Sequence, residues 1–360
     1  MCCVSERIKA LSIENVRPAA LVHSKPRVVG LQCADRWHSV TQNNGKFISA
    51  HGAINRLAAS VMPETACARI GAMPACRCAA RQVTRTIHCM SQHVIGIDFS
   101  SRPGRRKPIV LASGTLHGAV LRLDGLQRFD TLASFGQWLA QPGAWVGGFD
   151  LPFGLPRELV LALGWPTDWA ASIAHYAALG RPHIRDTFAA FCNARPVGGK
   201  FAHRACDKPA GSSPSMKWVN PPVAYMLHAG VPLLQAAGLS FPAHTPGQGD
   251  AGRVALEAYP GLLARELIAR RSYKSDERAK QTPDRLIARK DIVEALEQGR
   301  TRLGLRLKLT AAQRDALADD ASGDALDAVL CLLQAGWAVG QPGWGLPAGV
   351  DALEGWIVSA

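Results

Sequence analysis

Five acids in four separated segments are the residues of this chain best suited to chemistry that none could do alone. Asp98 closes "HVIGID", Asp150 closes "AWVGGFD", Glu257 closes "RVALE", and Asp324 and Asp327 open "DALDAVLCLLQAGWAV". Each has an ordinary explanation. An aspartate ending a strand commonly forms a turn by bonding the backbone two residues on. Acids in a first helical turn favour the helix dipole, and Ser322 or Asp324 is a candidate cap. Gathered at one place the acids would behave differently. Two carboxylates about 4 Å apart repel by roughly 4 kcal/mol at an effective dielectric of about 20, so a cluster needs cations or protons. Oxygen donors with no Cys or His pattern beside them select Mg²⁺ or Mn²⁺ over zinc. Two such ions about 3.5–4 Å apart can activate a water and stabilise the leaving oxygen in phosphodiester cleavage.

Whether the acids meet depends on the elements that carry them. "HVIGIDFS" reads as a buried strand, and "KPIVLASGT" and "GAVLRLDGLQRF" as two more joined by a Gly turn. "TLASFGQWLAQP" has helical spacing at Leu132, Phe135 and Leu139 with Thr131 as its N-cap. A fourth strand ends at Asp150, and "RVALEAYPG" supplies a fifth ending at Glu257. Between them, about residues 155–250 read as a large, mostly helical insertion, with helices expected at Arg157–Leu163, Trp169–Leu179, Arg185–Asn193 and Ala224–Ala237. Two helices and a last apolar helix from Asp324 complete the pattern. The expected fold is α/β, a mixed five-stranded sheet flanked by helices. In such a sheet the first strand lies beside the fourth, and ligands gather at the carboxyl ends of the strands. Asp98 and Asp150 would then emerge side by side, and Asp324 and Asp327, three apart, would share a helix face.

Taken together, "GIDFSS", "FDLPFG", "EAYPG" and "GDALDA" resemble the RNase H-like superfamily, and within it the group known as domain of unknown function 429, described as predicted nucleases. The terminal Asp-Ala-Leu-Asp also resembles the paired aspartates of the Holliday-junction resolvase branch. The resemblance covers about residues 93–340. It implies Asp98 as a central metal bridge, Asp150 or Glu257 as the second acid, and Asp324 with Asp327 as terminal ligands. Resolvase-like relatives carry Glu after the fourth strand, where this chain has Asp150, so the second acid stays open between the two.

Substrate groups are sought among the cations. Arg204 and Lys217 lie in the Gly/Pro-rich "RPVGGKFAHRACDKPAGSSPSMKWVNPP" and could hold a phosphate over the acids; a solvated lid with internal ion pairs is the plain alternative. Lys274, in "YKSDERAKQTPDRLIARK", would suit phosphate if it stood beside the site, although a charged helix face explains that stretch equally. Trp165, Trp169 and Trp218 read as core residues in preference to base-stacking ones.

Composition narrows the function classes. The net charge is +13, but residues 1–89 hold 12 basic and four acidic side chains, leaving a modest excess of 29 over 24 elsewhere. Seven of the ten cysteines also fall in that first segment, whose "CRC" is too tight for a zinc knuckle. Residues 1–89 show no sustained periodicity and read as a disordered or non-native extension before Met90, with the domain expected over 90–345 and a tail over 346–360. No long apolar span or secretory signal is visible, which predicts a cytoplasmic protein without a membrane partner. "GRRKP" lacks the Lys-Ser/Thr of a phosphate loop, and no Ser-His-Asp set is suggested. The leading expectation is a metal-dependent phosphodiester hydrolase acting on nucleic acid or another phosphodiester. A non-catalytic nucleic-acid or ligand binder on the same fold is the alternative. An actin-like phosphotransferase or ATPase is less favoured, because it needs a second copy of the motif and an adenosine-binding Gly-rich stretch.

Overall fold

The computed structural model describes residues 91–360. The expectations for residues 1–89 and for the "CRC" cysteines lie outside the described residues.

β1 (Gln92–Asp98), β2 (Ile109–His117) and β3 (Val120–Phe129) form an antiparallel meander. Helix α1 (Leu132–Leu139) follows, with the Thr131 hydroxyl accepting from the Ser134 N–H at 3.0 Å as its N-cap. β4 (Trp145–Asp150) then pairs parallel with β1. The region after it holds α2 (Arg157–Ala162), α3 (Trp169–Ala177), α4 (Arg181–Asn193), α5 (Asp207–Ala210) and α6 (Val223–Ala236). β5 (Leu239–Ser240) and β6 (Asp250–Glu257) return to the sheet, followed by α7 (Pro260–Ile268), α8 (Pro283–Glu297), β7 (Arg306–Lys308), α9 (Ala311–Asp319) and α10 (Asp324–Val339).

The sheet has seven strands in the order β5-β6-β4-β1-β2-β3-β7, not five. The two extra strands lie at the edges and have two and three residues, too short to show a period-2 pattern. β5 also falls inside the stretch expected to be one helical insertion, so that stretch is helical only up to Ala236. α4 begins at Arg181, four residues before the expected start, with Pro182 in its first turn, where a missing N–H costs nothing.

Period-2 alternation divides the core. Val94, Val110, Val146, Val254 and Leu256 pack with α7, α8 and α10 on one face. Ile95, Ile97, Phe149 and Ala255 pack with α1, α3, α4 and α6 on the other. α10 crosses the centre of the first face, and two glycines seat it there. Gly96 and Gly148 are partners in the β1–β4 register. A Cβ on Gly96 would lie 2.0 Å from the Ala328 carbonyl oxygen, and one on Gly148 would lie 2.4 Å from that of Cys331. Backbone therefore packs on backbone at the middle of the sheet, which only glycine permits.

The last residues are built into the domain. Leu353, Ile357 and Val358 are buried, Ile357 bridges to Glu257, and Glu354 accepts from the Arg157 and Ala205 N–H groups at 2.7 and 2.9 Å. Among the described residues, no helix is long and apolar enough to cross a membrane.

Candidate metal centre and its cleft

Two residues beyond the glycine pair, the same register places Asp98 opposite Asp150 at the carboxyl ends of β1 and β4. By alternation both follow the face on which α10 packs. Asp327 lies in the first turn of α10, one turn before Cys331. With the helix pressed onto the glycines, Asp327 meets the two strand ends. One oxygen from each of Asp98, Asp150 and Asp327 lies within 4.8 Å of the others.

Glu257 does not join them. It registers with Phe149, not with Asp150, and so follows the opposite face of the sheet. Its oxygens accept from the Arg204 guanidinium at 2.6 and 2.7 Å and from the Phe153 N–H at 2.9 Å. The expected substrate-binding role of Arg204 is corrected with it. Arg204 is 2 % exposed and also bonds Asp207 at 2.9 Å and the Glu354 carbonyl at 3.1 Å, so it cross-braces strand, loop and C-terminal segment. Lys217 is tied through its backbone to Pro214 and Ala224 and does not line the cleft described below. Asp324 stands beside the trio without entering it: Oδ1 accepts from Lys107 at 2.6 Å, while Oδ2 is buried without a hydrogen-bond partner. The cap of α10 is neither Ser322 nor Asp324. Gly323 occupies the cap position, and Asp320 Oδ2 accepts from the Ala325 N–H at 2.9 Å.

A family model described as "Protein of unknown function (DUF429)" matches residues 96–346. The chain belongs to this family. The matched span takes in Asp98, Asp150 and Asp327 together with the glycine seat beneath them. No curated protein and no solved structure matches the chain.

In this DUF429 protein the trio is electrostatically crowded. Burial, followed by the charge of Asp327, raises the Asp98 carboxyl well above the usual range, and the same causes push Asp150 up to about 7. Among the described residues no hydrogen bond reaches either carboxylate. Asp327 is better held. The Tyr273 hydroxyl donates to its Oδ1 at 2.5 Å, and the Lys274 ammonium pairs with its Oδ2. Burial alone would lower the Lys274 ammonium, but Asp327, Tyr273 and Asp98 hold it well above its ordinary value. Lys274 is thus the expected cation beside the site. Tyr273 and Lys107 are neighbours of the acids that the sequence does not assign to the site; Tyr273 directly precedes Lys274, and Lys107 belongs to "GRRKP", which lacks the Lys-Ser/Thr of a phosphate loop.

The carboxylates Asp98 and Asp150 lie in the wall of a cleft of about 1050 Å³. Its cations are Arg102, Lys107, Arg181, Arg185 and Lys274, and its apolar side includes Pro221, Val223, Tyr225 and Met226. The tryptophans are elsewhere: Trp169 is buried and donates to the Phe153 carbonyl at 2.8 Å, and Trp165 and Trp218 pack against the same core.

The donor set fits a divalent ion. Three hard carboxylate oxygens converge, two of them have no hydrogen-bond donor of their own, and Lys274 is the ammonium in contact with the third. The Asp98–Asp150–Asp327 group could hold a metal ion.

Proposed function

We propose that this protein is a phosphodiester hydrolase of the RNase H-like kind, dependent on Mg²⁺ or Mn²⁺ and working on nucleic acid in the cytoplasm. The observation that carries the reading is the convergence of Asp98, Asp150 and Asp327 within 4.8 Å at the wall of a cation-lined cleft. One or two divalent ions held there would supply the charge that activates a water and stabilises a leaving oxygen.

The chain's own residues do the rest. Asp98 and Asp150, fixed by paired strands, and Asp327, oriented by Tyr273, keep three carboxylates at one point without rearrangement. Lys274, released from Asp327 once other positive charge is present, becomes a donor for the phosphate oxygens. Lys107 holds the buried Asp324 beside the acids and adds positive charge to the cleft.

A second reading rests on the Lys274–Asp327 pair itself. An ammonium already inside the cluster would let it persist without metal, as a binding site on a non-catalytic member of the family. Hydrolysis of bis(p-nitrophenyl) phosphate and of mixed oligonucleotides, with Mn²⁺ and with EDTA, separates the two. Hydrolysis that needs Mn²⁺ and is lost in Asp98→Asn supports the hydrolase. Absence of turnover with every substrate, in a protein that still binds oligonucleotide, supports the binder.

A further inference from the structure

The β1–β2 connection carries four basic residues that the acid cluster does not fully use. Gly104 and Lys107 exchange backbone hydrogen bonds at 3.1 and 3.0 Å, making a two-residue turn with Arg105 and Arg106 at its tip, both exposed. Lys107 reaches inward to Asp324, and Arg102, at the base of the turn, lines the cleft. Arg181, on the cleft wall, donates to the Ser101 carbonyl at 2.7 Å and so stands against the base of this turn.

Charge pairing separates this group from several other surface arginines, although Arg270 and Arg278 are likewise exposed without a carboxylate partner among the described residues. Arg122, Arg157, Arg253 and Arg314 each pair with a carboxylate. Arg102, Arg105, Arg106 and Arg181 have no carboxylate partner among the described residues. Arg102 and Arg181 stand close enough to interact: burial and then the charge of Arg102 lower the Arg181 guanidinium from its ordinary value. Cations held together without acids are stabilised by a bound anion. The Arg181 guanidinium also lies over the Tyr225 ring, 5.0 Å from its centroid, a flat cationic surface of the kind on which a base can stack.

The placement of these cations decides the class of anion. A ligand that ended inside the cleft would meet Arg102 and Arg181 but not the hairpin tip, because Arg105 and Arg106 do not line the cleft. A chain of phosphates would meet all four. The cleft, at about 1050 Å³, matches one or two nucleotides and not a duplex. We propose that the Gly104–Lys107 hairpin and Arg181 form a phosphate track that leads a single nucleic-acid strand into the cleft. This deepens the hydrolase reading and rests on it for the fate of the strand.

The test is anisotropy of a labelled oligothymidylate of about ten nucleotides, measured in EDTA on the full chain and on the Arg105→Ala/Arg106→Ala double variant. Both side chains are exposed, so the variant keeps the fold. Its affinity should fall about tenfold or more, and the slope of log affinity against log salt should flatten by roughly 1.4. Thymidine monophosphate should bind both proteins alike. Equal oligonucleotide affinity and slope in the two proteins overturns the track. So does duplex DNA bound as tightly as the single strand, or an equal loss of monophosphate binding. Calorimetry with Mn²⁺ keeps the two readings apart: a wild type that binds the strand but no Mn²⁺ overturns the hydrolase while supporting the track, and the converse overturns the track alone.

Discussion

Asp98 and Asp150 are register partners across the parallel pair β1–β4, two residues past a glycine pair, Gly96 and Gly148, that carries α10. The carboxylate cluster is thus a consequence of backbone packing. The strands fix two acids, and the helix they admit brings the third.

Gly148→Ala tests that seat. The added methyl would stand 2.4 Å from the Cys331 carbonyl oxygen, a backbone atom that cannot move without the helix. Overpacking of this kind typically costs about 1–3 kcal/mol, and a backbone obstacle belongs at or above the top of that range. Urea unfolding should show a loss of about 3 kcal/mol or more; a loss below about 1 kcal/mol would mean that α10 does not sit on the sheet as described.

Glu257→Gln probes the opposite face. It leaves Arg204 buried and short of a charge partner, which commonly costs about 3–5 kcal/mol when such a pair is broken. The melting temperature should fall while Mn²⁺ affinity stays unchanged. Loss of metal binding at unchanged stability would return Glu257 to the ligand set.

Lys274→Met removes the ammonium that neutralises part of the cluster. The metal-free protein should become less stable, because carboxylate repulsion is no longer offset, and Mn²⁺ should bind more tightly, because it no longer competes with an internal cation. Weaker Mn²⁺ binding in this variant would show that Lys274 supports the ion instead of standing in for it.

The Asp150 carboxyl gives a pH dependence with a definite sign. Its folded value of about 7 lies above the ordinary 3.8, so between these limits the folded chain holds a proton that the unfolded chain has released. Its share of metal-free stability is complete below about pH 4 and is lost as the pH rises through 7. Melting curves of wild type and Asp150→Asn should therefore diverge from pH 4 to 7, with the variant gaining relative stability at the upper end. Mn²⁺ affinity of the wild type should rise over the same interval. A difference between the melting temperatures that does not vary with pH would remove the crowded, protonated Asp150 from the account.

Much of this was legible in the sequence. The β1–β4 strands, Thr131 as a cap, and Asp98, Asp150 and Asp327 as convergent acids follow from alternation, helical spacing and strand order. Glu257 was not resolved, because its face depends on a one-residue register between β4 and β6 that neither strand's own pattern contains. Arg204 looked like a loop cation because, apart from Asp207 three residues on, its partners Glu257 and Glu354 lie 53 and 150 residues away. The edge strands were too short to register, and of the cleft's cations only Lys274 was legible, the others lying in the β1–β2 hairpin and near the start of α4.

The central claim is that Asp98, Asp150 and Asp327 hold a divalent ion. Calorimetric titration of Mn²⁺ into wild type and Asp98→Asn tests it most directly, beside their melting curves without metal. The account predicts saturable binding by the wild type, binding weakened at least tenfold in Asp98→Asn, and metal-free stability of that variant level or higher, since one carboxylate is removed from a site where each pair costs a few kcal/mol. Equal Mn²⁺ binding by the two proteins, or none by the wild type, would contradict it.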